Sequence, residues 1–141
     1  MRIGDYFRQR RIEKNLSEED VTCFIGFQSS MLYDFETFDD NDIDGWSVEE
    51  YKRYCSILEV NQVDFTKVAM QDMIDMPLAS IVKKRREEKG LSIDTLSNLI
   101  EYESIIISNL ESNNYNDVCI DFLKCISKEL DIPLKLIFEK L

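Results

Sequence analysis

The sequence carries an internal duplication, which constrains the fold more than any other feature does. Residues of the first half recur unchanged 75 positions later, among them Arg11, Glu13, Lys14, Leu16, Ser17, Ile25, Ser29 and Glu36. Further along, the offset is 72, which pairs Leu58 with Leu130. The first copy therefore has three extra residues, and they fall in the acidic segment 39–45. This repetition predicts two similar structural units in tandem.

The spacing of apolar residues in each copy predicts two short helices joined by a tight turn. In the second copy, Ser92 is placed to cap one helix, and Glu103 or Ser104 to begin the next. In the first copy, Ser17 is the corresponding cap and Gly26 makes the turn. The residues expected to face the core are Val21, Phe24, Ile25, Leu32, Phe35, Ile93, Leu96, Leu99, Ile100, Ile106, Ile107 and Leu110. The expected fold class is all-α.

A proline marks the expected boundary between the two copies. Pro77 disfavours a helix at Met76, so we expect a first domain over residues 1–76 and a second over residues 77–141. The total of 141 residues suffices for two very small domains of four to five helices each. Residues 66–76 are expected to form a last helical turn and a short linker.

The composition narrows the classes of function. Apolar runs stay well below the ~20 residues of a membrane span, so we expect no membrane partner, and the N-terminus lacks the pattern of a signal peptide. The chain has no histidine, and its four cysteines are scattered, which disfavours a zinc site and fits a reducing cytosol. Acid–base catalysis without histidine would need a pair of carboxylates, and we identify no such pair in the sequence. We therefore expect a cytoplasmic protein that is not an enzyme and has no cofactor or metal.

The charge is acidic and unevenly distributed. The formal net charge is −11; residues 1–75 hold eight basic and seventeen acidic side chains, against nine and eleven in residues 76–141. Asp40, Asp42 and Asp44 match the opening positions of a calcium-binding EF-hand loop. The twelfth position is Tyr51 instead of a bidentate glutamate, so calcium is not expected. We interpret the segment as an acidic, flexible loop that repels nucleic acid or meets a basic partner.

Residues 86–92 read Arg-Glu-Glu-Lys-Gly-Leu-Ser, and Leu96, Ser97, Ile100, Ile107 and Glu111 follow. The first copy has the same pattern in Arg11, Lys14, Leu16, Ser17, Val21, Thr22, Ile25, Gly26, Leu32 and Glu36. This pattern resembles the phage-repressor or Cro type of helix-turn-helix, the Xre family, over nearly the whole chain. The resemblance implies two tandem lambda-repressor-like bundles of four to five helices. It also implies that Arg11 pairs with Glu36, and Arg86 with Glu111, to brace each bundle.

The resemblance further implies that exposed residues of each third helix read DNA. These positions are Ser29, Ser30, Tyr33 and Asp34 in the first copy, and Ser104, Ile105, Ser108 and Asn109 in the second. The chain departs from the pattern, because Glu101 replaces the turn glycine and neither third helix holds Lys or Arg. Lys83, Lys84 and Lys89 are candidates for phosphate contacts. The alternative interpretation of these lysines is a solvated helix end, where the helix dipole favours cations.

Two functions follow from these patterns. The first is a sequence-specific, DNA-binding transcriptional regulator, whose tandem units bind two half-sites of duplex DNA as the dimers of the family do. In that case the first unit is expected to have lost its DNA binding, because it is acidic. The chain could also form a homodimer. The second is an acidic protein-binding module of helix-turn-helix ancestry, such as an immunity protein, antitoxin or anti-repressor, that binds a basic protein.

Overall fold

A computed structural model of the chain describes residues 1–26, 28–60 and 75–141. Within those ranges the regular structure is helical, which confirms the all-α class. The helices are α1 (Ile3–Glu13), α2 (Glu18–Ile25), α3 (Ser29–Thr37), α4 (Val48–Ile57), α5 (Leu78–Glu88), α6 (Ile93–Ile100), α7 (Ser104–Glu111), α8 (Ile120–Leu130) and α9 (Leu134–Lys140), with a 3-10 turn at Asp40–Asp42. We call α1–α4 the N-terminal unit and α5–α9 the C-terminal unit. The expected last turn and linker at 66–76 lie outside the described residues, apart from 75 and 76.

Capping residues set the starts and ends of α2 and α6. Ser17 Oγ accepts a hydrogen bond from the Asp20 amide at 3.0 Å, and the Asp20 carboxylate accepts one from the Ser17 amide at 2.9 Å. Ser92 Oγ accepts a hydrogen bond from the Thr95 amide at 3.0 Å, so both predicted caps are confirmed. Both helices end in a left-handed residue, Gly26 at φ 95° and Glu101 at φ 60°.

Each unit has its own hydrophobic core, but the two cores differ in kind. The large buried side chains of the N-terminal unit are aromatic: Phe7, Phe35, Trp46, Tyr51 and Tyr54. The corresponding side chains of the C-terminal unit are mainly aliphatic, with Ile81, Val82, Leu110, Leu123 and Ile126 among them. Two core predictions are wrong, because Phe24 is 52% exposed and Leu99 is 51% exposed. These two residues occupy the same position in the two copies, on the outer side of α2 and α6.

The units meet in a short antiparallel contact between the segments that lead into α4 and α8. Ser47 pairs with Cys119 as an isolated β-bridge. The Val48 amide donates to the Val118 carbonyl at 2.8 Å, and the Ile120 amide donates to the Trp46 carbonyl at 2.7 Å. We call residues 46–48 and 118–120 the central joint. The offset of 72 maps each half of the joint onto the other, so the contact is locally two-fold symmetric, as an interface between identical subunits is.

Side chains on both sides strengthen the joint. Lys52 and Lys124 are equivalent by the same offset, and each reaches into the loop of the other unit. Lys124 Nζ donates to the Ile43 carbonyl at 2.8 Å, and Lys52 Nζ donates to Asn116 Oδ1 at 2.7 Å. Core residues are also exchanged: Ile120 and Phe138 pack into the core of the N-terminal unit, and Val48 into the core of the C-terminal unit.

The acidic segment 39–45 is anchored, contrary to the expectation of a flexible loop. Asp40 Oδ1 accepts a hydrogen bond from the Ile3 amide at 2.7 Å and so caps α1, whose own N-cap residue, Arg2, supplies no side-chain acceptor. Ile43 is buried, and its carbonyl is held by Lys124. One of the aspartates thus has a structural role that the charge pattern alone does not reveal.

Candidate nucleic-acid interface

The first candidate reading surface is the outer side of α3. Ser29, Ser30 and Tyr33 are exposed, with Tyr33 at 57%, while Asp34 is half-buried. The helix contains no Lys or Arg, and its last turn has no basic residue to complement the helix dipole. The surface can therefore offer hydroxyl groups and an aromatic ring to a partner, together with a carboxylate that repels phosphate.

The second candidate surface is the outer side of α7, which is less open. Ile105 is 57% exposed, whereas Ser104, Ser108 and Asn109 are half-buried. Ser104 Oγ donates a hydrogen bond to Asp94 Oδ1 at 2.9 Å, which ties the start of α7 to α6. Asn109 lies in the wall of a cavity, and its carbonyl accepts a hydrogen bond from the Asn114 amide at 2.8 Å. All four side chains are neutral, unlike the set on α3.

Acidic side chains flank both surfaces. Glu19 and Asp94 are equivalent exposed residues in the first turns of α2 and α6, where carboxylates stabilise the helix dipole. Glu101 and Glu103 stand between α6 and α7, and both are exposed. Favourable electrostatics for DNA therefore have to come from elsewhere in the molecule.

The three phosphate candidates differ in how strongly they are already engaged. Lys89 Nζ donates to the Glu129 carbonyl at 3.1 Å and to Asp131 Oδ2 at 2.6 Å, and this hydrogen bond lowers the pKa of Asp131. Lys84 Nζ lies 3.9 Å from a carboxylate oxygen of Glu88, and Lys83 is exposed. The N-terminal unit repeats the Lys89 contact, because Lys14 pairs with Glu59. Lys89 thus ties the end of α5 to the end of α8.

The two pairs that the resemblance singles out brace the first helix of each unit to the third. Arg11 Nε lies 2.7 Å from Glu36 Oε1, and Arg86 Nε lies 2.9 Å from Glu111 Oε2; each guanidinium makes a second bond to the same carboxylate. Hydrogen bonding to Glu36 raises the pKa of Arg11, so the group stays charged. Each arginine also donates to a carbonyl five residues later, which orders the turn before the second helix.

Sequence reasoning missed two features of this region. Tyr54 Oη donates to Glu36 Oε1 at 2.8 Å, and burial raises the pKa of Tyr54, so its hydroxyl keeps the proton. The equivalent residue, Ile126, is apolar and gives no signal of such a network. The central joint was also missed, although the matched pair Lys52 and Lys124 is visible in the duplication.

No known protein-family model, curated protein or solved structure matches the chain. Among the described residues, no helix is long and apolar enough to cross a membrane. Within the same ranges, His, Cys, Asp and Glu side chains form no group of three or more suited to holding a metal ion.

Proposed function

We propose that the chain is a cytoplasmic, sequence-specific DNA-binding regulator built from two tandem repressor-type helix-turn-helix units. In this proposal, α2 with α3 and α6 with α7 are the two motifs, and duplex DNA is the partner. One chain presents two motifs as a fixed pair, so a homodimer is not required for contact with two half-sites.

The central joint is the observation that carries this proposal. The offset of 72 maps each of its two backbone hydrogen bonds onto the other. The two units are therefore related across the joint as the subunits of a two-fold dimer are. DNA-binding dimers use this symmetry to match half-sites that are themselves related by a two-fold axis. A duplicated gene that keeps the symmetric contact keeps the geometry that such a site needs.

The C-terminal unit makes the larger share of the DNA contacts in this proposal, because its candidate surface carries less negative charge. Asp34 stands on the α3 surface, and the anchored acidic segment 39–45 follows that helix directly. On α7 the candidate side chains are neutral, and an asparagine such as Asn109 can make two hydrogen bonds to adenine in the major groove. Lys83 remains exposed for phosphate contact.

The test uses the whole chain, because each unit lends core residues to the other. We expect selection from random duplex DNA at low salt to enrich one sequence. Fluorescence anisotropy should then show an affinity that falls as salt rises, since phosphate contacts release counterions. If no sequence is enriched and bulk duplex DNA does not bind at low salt, the proposal fails.

A second candidate is an acidic module that binds a basic protein, as an immunity protein, antitoxin or anti-repressor does. The exposed aromatic side chains of Phe24 on α2 and Tyr33 on α3 favour it, since the same helices carry Glu19 and Asp34. Exposed aromatic residues together with acidic side chains suit a basic partner. Absence of DNA binding at low salt, together with a partner whose affinity falls in Tyr33→Ala and Asp34→Ala, would favour this function over the first.

A further inference from the structure

A cavity of about 340 Å³ opens in the C-terminal unit, between α7 and the loop that leads into α8. Its size lies at the lower end of the range for small-molecule sites, roughly 300–1,000 Å³. The lining residues are Tyr102, Ile106, Asn109, Asn114, Asp117, Val118, Cys119 and Phe122. The walls are thus aromatic and aliphatic, with two amides, one carboxylate, one phenol and one thiol. This is the mixture of apolar surface and few polar groups that orients a small ligand.

The N-terminal unit has different side chains at the corresponding positions. Trp46 occupies the position of Val118 in the C-terminal unit, and its ring centroid lies 4.4 Å from that of Phe35. Gly45 stands where the C-terminal unit has Asp117, and a Cβ atom on Gly45 would lie 3.7 Å from the Met31 methyl group. The cavity-lining residue Val118 is therefore much smaller than its equivalent in the first copy, which is a buried tryptophan.

The charges around the cavity are one-sided. Asp117 lines it, and no Lys or Arg is among its lining residues. Lys52 approaches the same loop, but its ammonium group binds Asn116 and lies over the Tyr115 ring, neither of which lines the cavity. A second carboxylate, Asp121, does not line the cavity but is near enough to the lining residue Tyr102 to contribute to raising its pKa. Its Oδ1 atom is buried and accepts no hydrogen bond within the described part of the chain.

Two aromatic rings complete the site. Tyr102 and Phe122 meet edge to face, with their centroids 5.1 Å apart. Burial raises the pKa of Tyr102, with smaller contributions from neighbouring Cys125 and Asp121, so the phenol stays neutral. Aromatic faces attract cations as well as apolar groups. A cavity with aromatic ring faces and a carboxylate favours a ligand that has a positive charge and a flat, apolar part.

We propose that this cavity binds a small organic cation that carries an aromatic body, of the arylalkyl-ammonium class. The aromatic body packs between Ile106, Val118 and the two rings, and the ammonium group lies towards Asp117. An anion of the same shape binds more weakly, because it would bring a second negative charge beside that carboxylate.

Binding in this cavity has a consequence for the candidate DNA surface, which rests on the proposed function. Asn109 lines the cavity from α7, and Val118 belongs to the central joint. A bound ligand therefore touches a candidate base-reading side chain and the contact that fixes one unit against the other. Ligand binding and DNA binding are then coupled, and each changes the affinity for the other by the same factor.

The test uses three probes of one shape: 2-phenylethylammonium, 2-phenylethanol and 3-phenylpropanoate, titrated at constant ionic strength into the 15N-labelled chain. We expect saturable NMR shifts at Asn109, Asn114 and Asp117 with the cation, and a Kd on the order of millimolar for so small a probe. The neutral probe should bind about three- to ten-fold more weakly, and the anion more weakly still. DNA is absent, so failure of the DNA proposal leaves this result intact.

Two variants separate shape from charge. Val118→Trp, which installs the residue of the other copy, should abolish the shifts. Asp117→Asn keeps the shape of the cavity and should remove most of the preference for the cation. This variant tests the proposal even if Val118→Trp does not fold. Asp42→Asn, an exposed carboxylate remote in sequence from the cavity, is the matched control and should change nothing. Absence of saturable shifts, equal binding of anion and cation, or equal loss in Asp42→Asn would overturn the proposal.

Discussion

The two units use the same positions with different side chains, and five buried aromatic residues of the first unit are matched by aliphatic residues in the second. The aromatic residues Phe7, Phe35, Trp46, Tyr51 and Tyr54 of the N-terminal unit correspond to Val82, Leu110, Val118, Leu123 and Ile126. Aromatic rings interlock through edge and face contacts, such as the stacked rings of Phe7 and Tyr54 at 5.0 Å. Two units with the same order of helices thus have cores of different composition, one largely aromatic and one largely aliphatic.

The difference extends to the polar brace. Glu36 receives the Arg11 guanidinium and the Tyr54 hydroxyl, and its side chain is 2% exposed, against 7% for Glu111. The N-terminal unit therefore combines an acidic surface with a more interlocked interior. The C-terminal unit keeps neutral residues on α7 and has a cavity beside them. In the proposed function, the first copy then serves chiefly as a scaffold and the second chiefly for recognition.

The largest effect is expected when the more buried carboxylate is removed. Glu36→Ala leaves the Arg11 charge and the Tyr54 hydroxyl without their partner, so it should cost about 3–5 kcal/mol of unfolding free energy. Glu111→Ala should cost less, about 1–4 kcal/mol, because Arg86 loses its partner but no buried hydroxyl does. Urea unfolding followed by circular dichroism, and by the single tryptophan, Trp46, measures both. Equal costs would show that Tyr54 adds nothing to the brace.

The close approach of α1 to α3 provides the next test. A Cβ atom on Gly4 would lie 2.3 Å from the Phe35 carbonyl oxygen, whereas the equivalent position, Ala79, already carries one. Gly4→Ala should therefore destabilise the N-terminal unit by about 1–3 kcal/mol, although alanine favours a helix. Ala79→Gly should cost about 1 kcal/mol, mainly through helix propensity. Thermal melts of both variants check this, and a stable Gly4→Ala variant would mean that the two helices separate easily.

Unequal recognition by the two units is tested on DNA selected with the whole chain. Asn109→Ala should cost about 1–3 kcal/mol of specific binding and relax selectivity at one base. Asp34→Ala should leave the affinity unchanged or slightly higher, because it removes a carboxylate that repels phosphate. Lys83→Ala with Lys84→Ala should weaken binding to all sequences and flatten its salt dependence. Anisotropy titrations measure these effects, and a loss confined to Asp34→Ala would reverse the assignment of the two units.

Much of the fold was predictable because local signals and the duplication agree. Ser17 and Ser92 set helix starts, and Gly26 sets a turn, through short-range chemistry that a sequence reveals. The exposure of Phe24 and Leu99 was not predictable, because periodicity marks an apolar residue without showing whether a neighbour covers it. The joint depends on contacts between residues some 70 positions apart, and the cavity depends on how α7 packs against the loop that leads into α8. A single sequence gives no direct signal of such contacts.

The smallest effect concerns the turn between the two helices of each motif. Glu101 adopts a left-handed conformation at φ 60°, where glycine is favoured, and its equivalent is Gly26. Glu101→Gly should stabilise the C-terminal unit by about 0.5–1 kcal/mol, and Gly26→Ala should destabilise the N-terminal unit by about 1 kcal/mol. No atom lies within 4 Å of a Cβ built on Gly26, so that cost comes from the backbone alone.

Variants at position 101 also distinguish the effect of backbone strain from the effect of the Glu101 charge. Glu101→Asn removes the negative charge next to α7 but keeps a side chain that tolerates the left-handed conformation. Thermal melts report the strain, and DNA titration at low salt reports the charge. We expect both variants at 101 to strengthen DNA binding by a similar small factor, because both remove the same carboxylate from the approach to phosphate. If only Glu101→Gly strengthens binding, backbone strain in the turn, and not charge, limits how α7 meets DNA.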